Sequence, residues 1–489
     1  LTMVNSHLDK IRSGALARAG ALCDAQVEQA ANLVAEYEAD GVETVRLLFA
    51  DQHGILRGKT VVTAALASAF ASGIGMPSTL LLKDTAHKTV FPVWSDDVSV
   101  GDMALQGASD ILAVPDPATA CPVPWSPHSR IILCRVLDRE LTPVTFSSTQ
   151  VLGTAISGLQ ALGFSAVMGL ETEFQVFERV DDGLDHRQAT MPPSAVTTRN
   201  INAGWQFLTE TRYGAAEALL DDIRRTAQQM GLAPRTVEIE MGPSQFEFTF
   251  DPSDPMAQAH RYVLFRTMVK EVCHRRGLHA SFMAKPKLPN AAANGWHIHQ
   301  SLLSNDSGEN VFMPDETGAL TPEAAAWIAG LLDNAPTSCL MTTPTVNGYK
   351  RYAPFQLAPN RVAWGRDNRG AMVRALLTPG DRASRVENRV ADSTVNPYFA
   401  LASQIISGSD GLRRGAQPPA PTASPYAEDA ARLPQSLIAA VEAMEGSALY
   451  KETLGESFVT YLTHIKKAEW ERYLMTVSEW EQDEYFNLY

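Results

Sequence analysis

Four separated segments place ionisable side chains two residues apart inside β-forming sequence: Glu171 and Glu173 in GLETEF, Glu238 and Glu240 in VEIEMGPSQFEF, His297 and His299 in NGWHIHQS, and Glu387 and Arg389 in RVENR. Successive side chains on a strand point to opposite faces, so each pair shares one face. A chain with four such pairs must build a sheet with one chemically loaded face and one apolar face. Carboxylates crowded on the loaded face need a cation or a proton to offset their repulsion. Glu240 and Glu247 would fall on opposite faces of an uninterrupted strand; the intervening Met-Gly-Pro-Ser supplies the bend or bulge that brings them together.

Any one of these pairs alone reads as a solvated strand face or as packing. Together, Glu171, Glu173, Glu240, Glu247 and Glu387 with His297 offer carboxylate oxygens and one imidazole, a set suited to Mg²⁺ or Mn²⁺ rather than zinc. So many carboxylates against a single neutral imidazole predict more than one ion. Arginine is concentrated nearby: Arg351, Arg361, Arg366, Arg369, Arg374, Arg382, Arg385 and Arg389 fall between positions 351 and 389. Guanidinium forks recognise carboxylates and phosphates bidentately, which fits metal–polyphosphate chemistry. Neither GxxxxGK[ST] nor GxGxxG is present, so a nucleotide must be held in another way.

The 489 residues carry a net charge of −14, which disfavours nucleic acid as a partner. Five scattered cysteines without a CxxC pair predict a reducing, cytoplasmic setting. Residues 60–82 carry no charge over a length that could span a bilayer, yet their serines, glycines and proline predict a buried Ala-rich helix plus loop and no membrane span. A helix over 25–37, a strand over 43–50, a turn at Asp51–Gly54 and a strand over 55–62 predict a small β-rich N-terminal domain. Its boundary is expected near 145, giving domains 1–145 and 146–489. Beyond it, strands over 166–177, 236–250, 296–303 and 386–390 are separated by helices over 214–231 and 256–276. That order predicts an α+β domain with an antiparallel sheet backed by helices. Residues 469–489 read as one terminal helix.

In chain order, GLETEF, EMGPSQFE, NGWHIHQSL, PTVNGYKRY, VAWGRDNRGAMVR and RVENRVADSTVNPY resemble the catalytic motifs of the glutamine synthetase superfamily, specifically its type I branch with γ-glutamyl-amine ligases. VRLLFADQHGILRGK resembles that family's β-grasp domain. The resemblance implies a β-grasp domain followed by a large catalytic α/β domain, assembled as a homo-oligomer of stacked rings (a dodecamer) with active sites shared between neighbouring subunits. It implies that Glu173, Glu240 and Glu247 hold one metal near the glutamate γ-carboxylate. Glu171, His297 and Glu387 would hold another on the phosphates of ATP. Gly295, Arg351 and Arg389 would bind glutamate, Arg351 also meeting the developing phosphate. His299, Ser301, Arg369, Arg374 and Arg385 would line the ATP site, with Arg369 offsetting charge on the transferring phosphoryl group. Glutamate, ATP and an amine are the expected substrates.

Two departures bear on the amine. Family members that use ammonium carry an acidic residue in an Asp-Gly-Ser-Ser loop, where this chain reads Gly73-Ile74-Gly75-Met76-Pro77-Ser78. They also carry a glutamate six residues after the arginine of NxYKR, where this chain has Leu357. The expected acceptor is therefore an apolar aliphatic or aromatic amine, in a pocket built from Met76 and the residues after it in one subunit and Phe355 and Leu357 of the next. A contrary reading brings Asp84, Asp96 or Asp97 into the pocket to hold a polyamine. Beside these stand a glutamine synthetase proper and a catalytically silent structural relative.

Overall fold

The computed structural model describes residues 2–96, 98–101, 103–181, 183–352, 357–426 and 430–489. In the strand Thr44–Ala50, Val45, Leu47 and Phe49 point inward. The turn after it is set by Asp51, whose carboxylate accepts from His53 N (2.9 Å) and Ile55 N (3.0 Å), while Gly54 takes φ 71°. Leu56–Val62 then returns antiparallel. On the other side Ser129–Leu137 pairs parallel with Thr44–Ala50, followed outward by Asp110–Pro115 and Ile74–Pro77. The helix Asp24–Ala39 buries Val27, Ala30, Ala31, Val34 and Tyr37. The uncharged run becomes the short helix Leu66–Ser72, buried along Leu66, Ala67, Ala69, Phe70 and Ala71. Among the described residues no helix is long and apolar enough to cross a membrane.

The second sheet runs in the order Pro234–Ile239, Gln245–Phe250, Phe164–Arg179, Trp296–Ser304, Arg385–Asn388, Val373–Leu376 and Trp364–Arg366. Every neighbour along this path is antiparallel except the last pair. Alternation in Phe164–Arg179 buries Met168, Leu170, Thr172 and Phe174 on one face and leaves Glu171 and Glu173 on the other. The apolar face is covered by the helices Ser148–Gln160 and Pro255–Arg275. Phe174 meets Phe282 at 5.0 Å and Phe248 at 5.8 Å between ring centroids, so aromatic packing anchors the strand that carries the two glutamates.

Two local expectations are corrected. The strand expected over 236–250 is a hairpin, because Glu240–Ser244 turns the chain with Ser244 at φ 58°, pairing Glu238 with Glu247. The terminal helix expected over 469–489 is interrupted: Glu456–Leu474 ends, and Glu479–Tyr485 starts anew from a reciprocal cap between Ser478 and Glu481.

The two sheets are joined at the first hairpin turn. Asn396 Nδ2 donates to Asp51 O (3.0 Å) and Ser148 Oγ (2.8 Å), and Arg266 donates to Gly54 O (2.6 Å). The helix Glu456–Leu474 closes over the junction, its Tyr461 hydroxyl donating to Leu81 O (2.5 Å).

Candidate active site

Cross-strand register assembles the loaded face. Glu173 lies opposite Glu247, which in turn lies opposite Glu238. Glu171 lies opposite His297, and Glu387 lies opposite both His299 and Arg374. His299 faces Gly169 on the central strand, where a Cβ would stand 3.3 Å from that of His299.

Glu171 is the hub. Its two oxygens take His297 Nδ1 and His299 Nε2, each at 2.8 Å. Arg385 Nε donates to His299 Nδ1 at 3.0 Å, so the ring proton of a neutral His299 sits on Nε2 and points at Glu171. Glu387 accepts from Arg374 at 3.1 Å and from Arg389 at 2.5 Å. Burial raises the Glu171 carboxyl, but the bonds from His297 and His299 more than reverse this and hold it far below the ordinary value. Glu387 is lowered too: burial opposes, and His297 and Arg389 prevail.

The other end of the face behaves oppositely. Burial, and then the charge of Glu173, raise Glu240 to about 8. Burial and the charges of Glu171, Glu173 and Glu240 raise Glu247 well above the ordinary value. Ligand atoms of Glu171, His297 and Glu387 lie within 4.8 Å of one another, as do those of Glu173, Glu247 and His297. Two overlapping oxygen-rich groups whose carboxylates repel one another fit divalent cations. Glu240 stands outside both groups, its Oε2 accepting from its neighbour Met241 N at 2.9 Å.

Gly295 N donates to Glu173 Oε2 at 2.7 Å, and a Cβ there would meet His297 Nε2 at 3.0 Å. Ser301 follows His297 and His299 on the same face. Arg389 is buried, and its Nε–H has no hydrogen-bond partner among the described residues. Arg374 also bonds Asp367 (2.6 Å), and Arg369 is exposed beside a surface recess bounded by Arg366, Asn368 and Thr422. Arg351 is not brought to the face: its guanidinium bonds the carbonyls of Gly348, Val390 and Ala391, with Asp392 at 3.9 Å.

Of the residues expected at the amine pocket, Met76 is buried in the N-terminal core opposite Ile111, because the inward position of its short strand points there. Leu357 is exposed at φ 57°. Phe355 lies outside the described residues, as does Asp97. Asp84 is buried and already accepts from Ala86 N, Lys88 N and Arg472 Nε, which leaves it unsuited to a polyamine.

An amide network beneath Glu173 was not singled out from the sequence. Gln245 Nε2 donates to Asn294 Oδ1 (2.9 Å) and reaches Glu173 Oε2 (3.3 Å), while Asn294 Nδ2 donates to Gln175 Oε1 (2.7 Å). The signal was available, since Gln175 continues the alternation of Glu171 and Glu173, and Gln245 sits two residues before Glu247.

This fold and face define the class: the chain belongs to the glutamine synthetase family, and residues 147–485 match that family's description, glutamine synthetase, catalytic domain. Among individual relatives it is 34% identical to a γ-glutamylanilide synthase of Acinetobacter sp, over 95% of this chain and 97% of that one. It is 32% identical to a glutamine synthetase of Halobacterium salinarum (92% and 95% covered). It is 29% identical to a γ-glutamylethanolamide synthetase of Streptomyces coelicolor (93% and 94% covered). A solved GmaS–ADP complex superposes with a TM-score of 0.77 at 27% identity, covering 93% of this chain and 99% of that one.

Proposed function

We propose that this chain is an ATP-dependent carbon–nitrogen ligase that joins the γ-carboxylate of glutamate to an apolar aliphatic or aromatic amine. The observation that carries the acceptor class is Leu357, exposed where ammonium-using members of the family carry a glutamate, combined with a catalytic face that keeps its carboxylates and His297. The relatives named for anilide and ethanolamide products support an organic amine.

A carboxylate is a poor acyl electrophile. Transfer of the ATP γ-phosphoryl group to the glutamate γ-oxygen makes an acyl phosphate and releases ADP; the amine nitrogen then attacks the acyl carbon, the C–N bond forms as the bond to phosphate breaks, and phosphate and the nitrogen's proton leave. Glu173, Glu240 and Glu247, and Glu171, His297 and Glu387, are the residues proposed to hold Mg²⁺ or Mn²⁺, two or more per site, which when bound supply positive charge against the carboxylates and phosphates. Arg389, whose buried Nε–H is unpartnered among the described residues, binds a substrate carboxylate, and Gly295, where a Cβ would crowd His297 and Glu173, leaves room at the face. His299, Ser301, Arg374 and Arg385 border the phosphates of ATP, and Arg369 reaches them from the rim. Arg351 acts on glutamate only after its guanidinium leaves the carbonyls it holds here. An aniline-type amine is neutral near pH 7 and already nucleophilic, so it needs no acidic residue to deprotonate it.

The N-terminal unit is read as a β-grasp domain, supported by its parallel central pair, with a boundary near 145 between the strand ending at Leu137 and the helix starting at Ser148. Assembly into stacked rings is supported by exposed apolar residues at the C-terminus, including Met475, Val477, Trp480 and Phe486. A cytoplasmic setting is supported by five free cysteines, four of them buried.

The test is a screen of ATP turnover with glutamate against ammonium, alkylamines, ethanolamine, polyamines and anilines. Apolar amines should turn over fastest. Faster turnover of ammonium or spermidine than of every apolar amine refutes the acceptor class, and no ATP turnover with any amine refutes the ligase.

A further inference from the structure

A cavity of about 380 Å³ lies between the first hairpin turn, the helix Pro255–Arg275 and the helix Glu456–Leu474, and it contains none of the residues of the catalytic face. Its charge is one-sided. Among the described residues Arg57, Arg266, Lys270 and Lys466 line it against one acid, Asp84, whose oxygens are already bonded to Ala86, Lys88 and Arg472. Phe282, Met341, Phe399 and Leu462 supply an apolar wall between these groups.

Lys466 is the decisive residue. It is 2% exposed, and among the described residues its Nζ has no hydrogen-bond partner: Glu469 Oε2 stands at 3.6 Å, beyond hydrogen-bond reach, and the charge of buried Asp392 acts on it from farther away. An ammonium buried this deeply is costly unless an anion completes its shell. Arg57 bonds Asp51 through Nε (2.8 Å), and its two terminal nitrogens have no hydrogen-bond partner among the described residues. Gln52, also lining the cavity, is buried, and its Oε1 has no hydrogen-bond partner among the described residues. Burial, and after it the charge of Lys466, push His53 on the same wall below its ordinary value, with Asp51 and Glu469 opposing.

We infer that this cavity is an effector site for a small carboxylate with an apolar body. The carboxylate pairs with Lys466 and Arg57, and the apolar body lies against Phe282, Met341 and Leu462. An amine or an uncharged isostere gains the apolar contact and loses the ion pair. The site is wired to the catalytic face: Arg266 Nη1 donates to Ser393 O (3.1 Å), and Ser393 Oγ donates to Glu173 O (2.6 Å) and Gly295 O (3.0 Å). On the other wall Met283 O accepts from Asn294, which belongs to the amides beneath Glu173.

The probe is 3-phenylpropionate, with 3-phenylpropionamide as its uncharged counterpart, titrated calorimetrically into the full-length protein. The acid should bind at least tenfold more tightly than the amide, shift the KM for glutamate at least twofold, and protect 52–57, 281–283 and 462–466 from hydrogen exchange. Lys466→Met should weaken the acid at least tenfold, leave the amide unchanged, and remove the KM shift without altering turnover in the absence of the acid. Equal affinity for acid and amide overturns the inference. So does protection confined to 295–301, which places the acid on the catalytic face, or a KM shift that persists in Lys466→Met. If Lys466→Met does not fold, the exchange pattern of the unaltered protein decides alone.

Discussion

Replacing Glu240 by Gln should stabilise the metal-free protein and abolish turnover in the same step. Burial and the charge of Glu173 raise the Glu240 carboxyl from 4.5 to about 8. A group whose folded pKa lies above its unfolded one imposes no penalty below the unfolded value, costs stability progressively as pH rises toward the folded value, and changes nothing further above it. At pH 7 the span above 4.5, at about 1.4 kcal/mol per pH unit, amounts to about 3 kcal/mol. Gln cannot ionise, yet it retains an oxygen to accept the Met241 N–H bond. The lowered carboxylates Glu171 and Glu387 and the depressed imidazoles of His53, His260 and His279 are common to both proteins, so the difference between them reports the charge at position 240 together with the relief its removal gives Glu247. Urea unfolding in EDTA should show a gap in favour of Glu240→Gln that is under about 1 kcal/mol at pH 5 and about 3 kcal/mol at pH 7. Adding MgCl₂ or MnCl₂ should narrow the gap by stabilising the unaltered protein more. Parallel pH profiles in EDTA, or a gap unaffected by metal, would refute the reasoning that position 240 carries an unneutralised charge.

Gly295→Ala should reduce kcat/KM for glutamate at least tenfold while leaving thermal unfolding within a few degrees, because the added methyl meets His297 and Glu173 rather than the core; unchanged kinetics would show that the closeness at Gly295 is incidental. Arg389→Ala should raise the KM for glutamate or lower kcat without loss of ATP binding, and equal losses for both substrates by calorimetry would remove Arg389 from the glutamate side. Leu357→Glu should raise the ratio of ammonium to organic-amine turnover, and a ratio unchanged across the amine panel would take position 357 out of the acceptor pocket.

The facing of Glu171, Glu173, His297, His299, Glu387 and Arg389 was legible because strand alternation is local and each pair announces itself within a few residues. Which of these side chains touch was not, because pairing is non-local. Nothing near Glu171 foretells that both His297 and His299 would converge on it, and the hairpin that sets Glu238 against Glu247 depends on a turn conformation at Ser244. Arg351 shows a second limit: residue type and motif mark it as an anion binder, but its donors are used by main-chain carbonyls of Val390 and Ala391, whose position only the tertiary fold sets. Met76 shows a third, since an apolar residue in a short β segment reads equally as core or as pocket, and the neighbour opposite it, Ile111, decides. The break before Glu479 was readable from Ser478 and Glu481, three residues apart.

The amides beneath Glu173 separate two tasks that one charged partner would have merged. Gln245 reaches the carboxylate and is itself held by Asn294, which Gln175 holds in turn, so the carboxylate is oriented without its charge being cancelled: its geometry is settled before any ligand arrives while its electrostatic demand stays open. The support also lies wholly within the central strands and the segment leading into Trp296, apart from the loop that carries Leu357. On the proposed reading of Leu357, change in the choice of amine accumulates at that loop without disturbing the machinery that activates glutamate, and a lineage can exchange one nitrogen donor for another while its phosphoryl chemistry stays as it was.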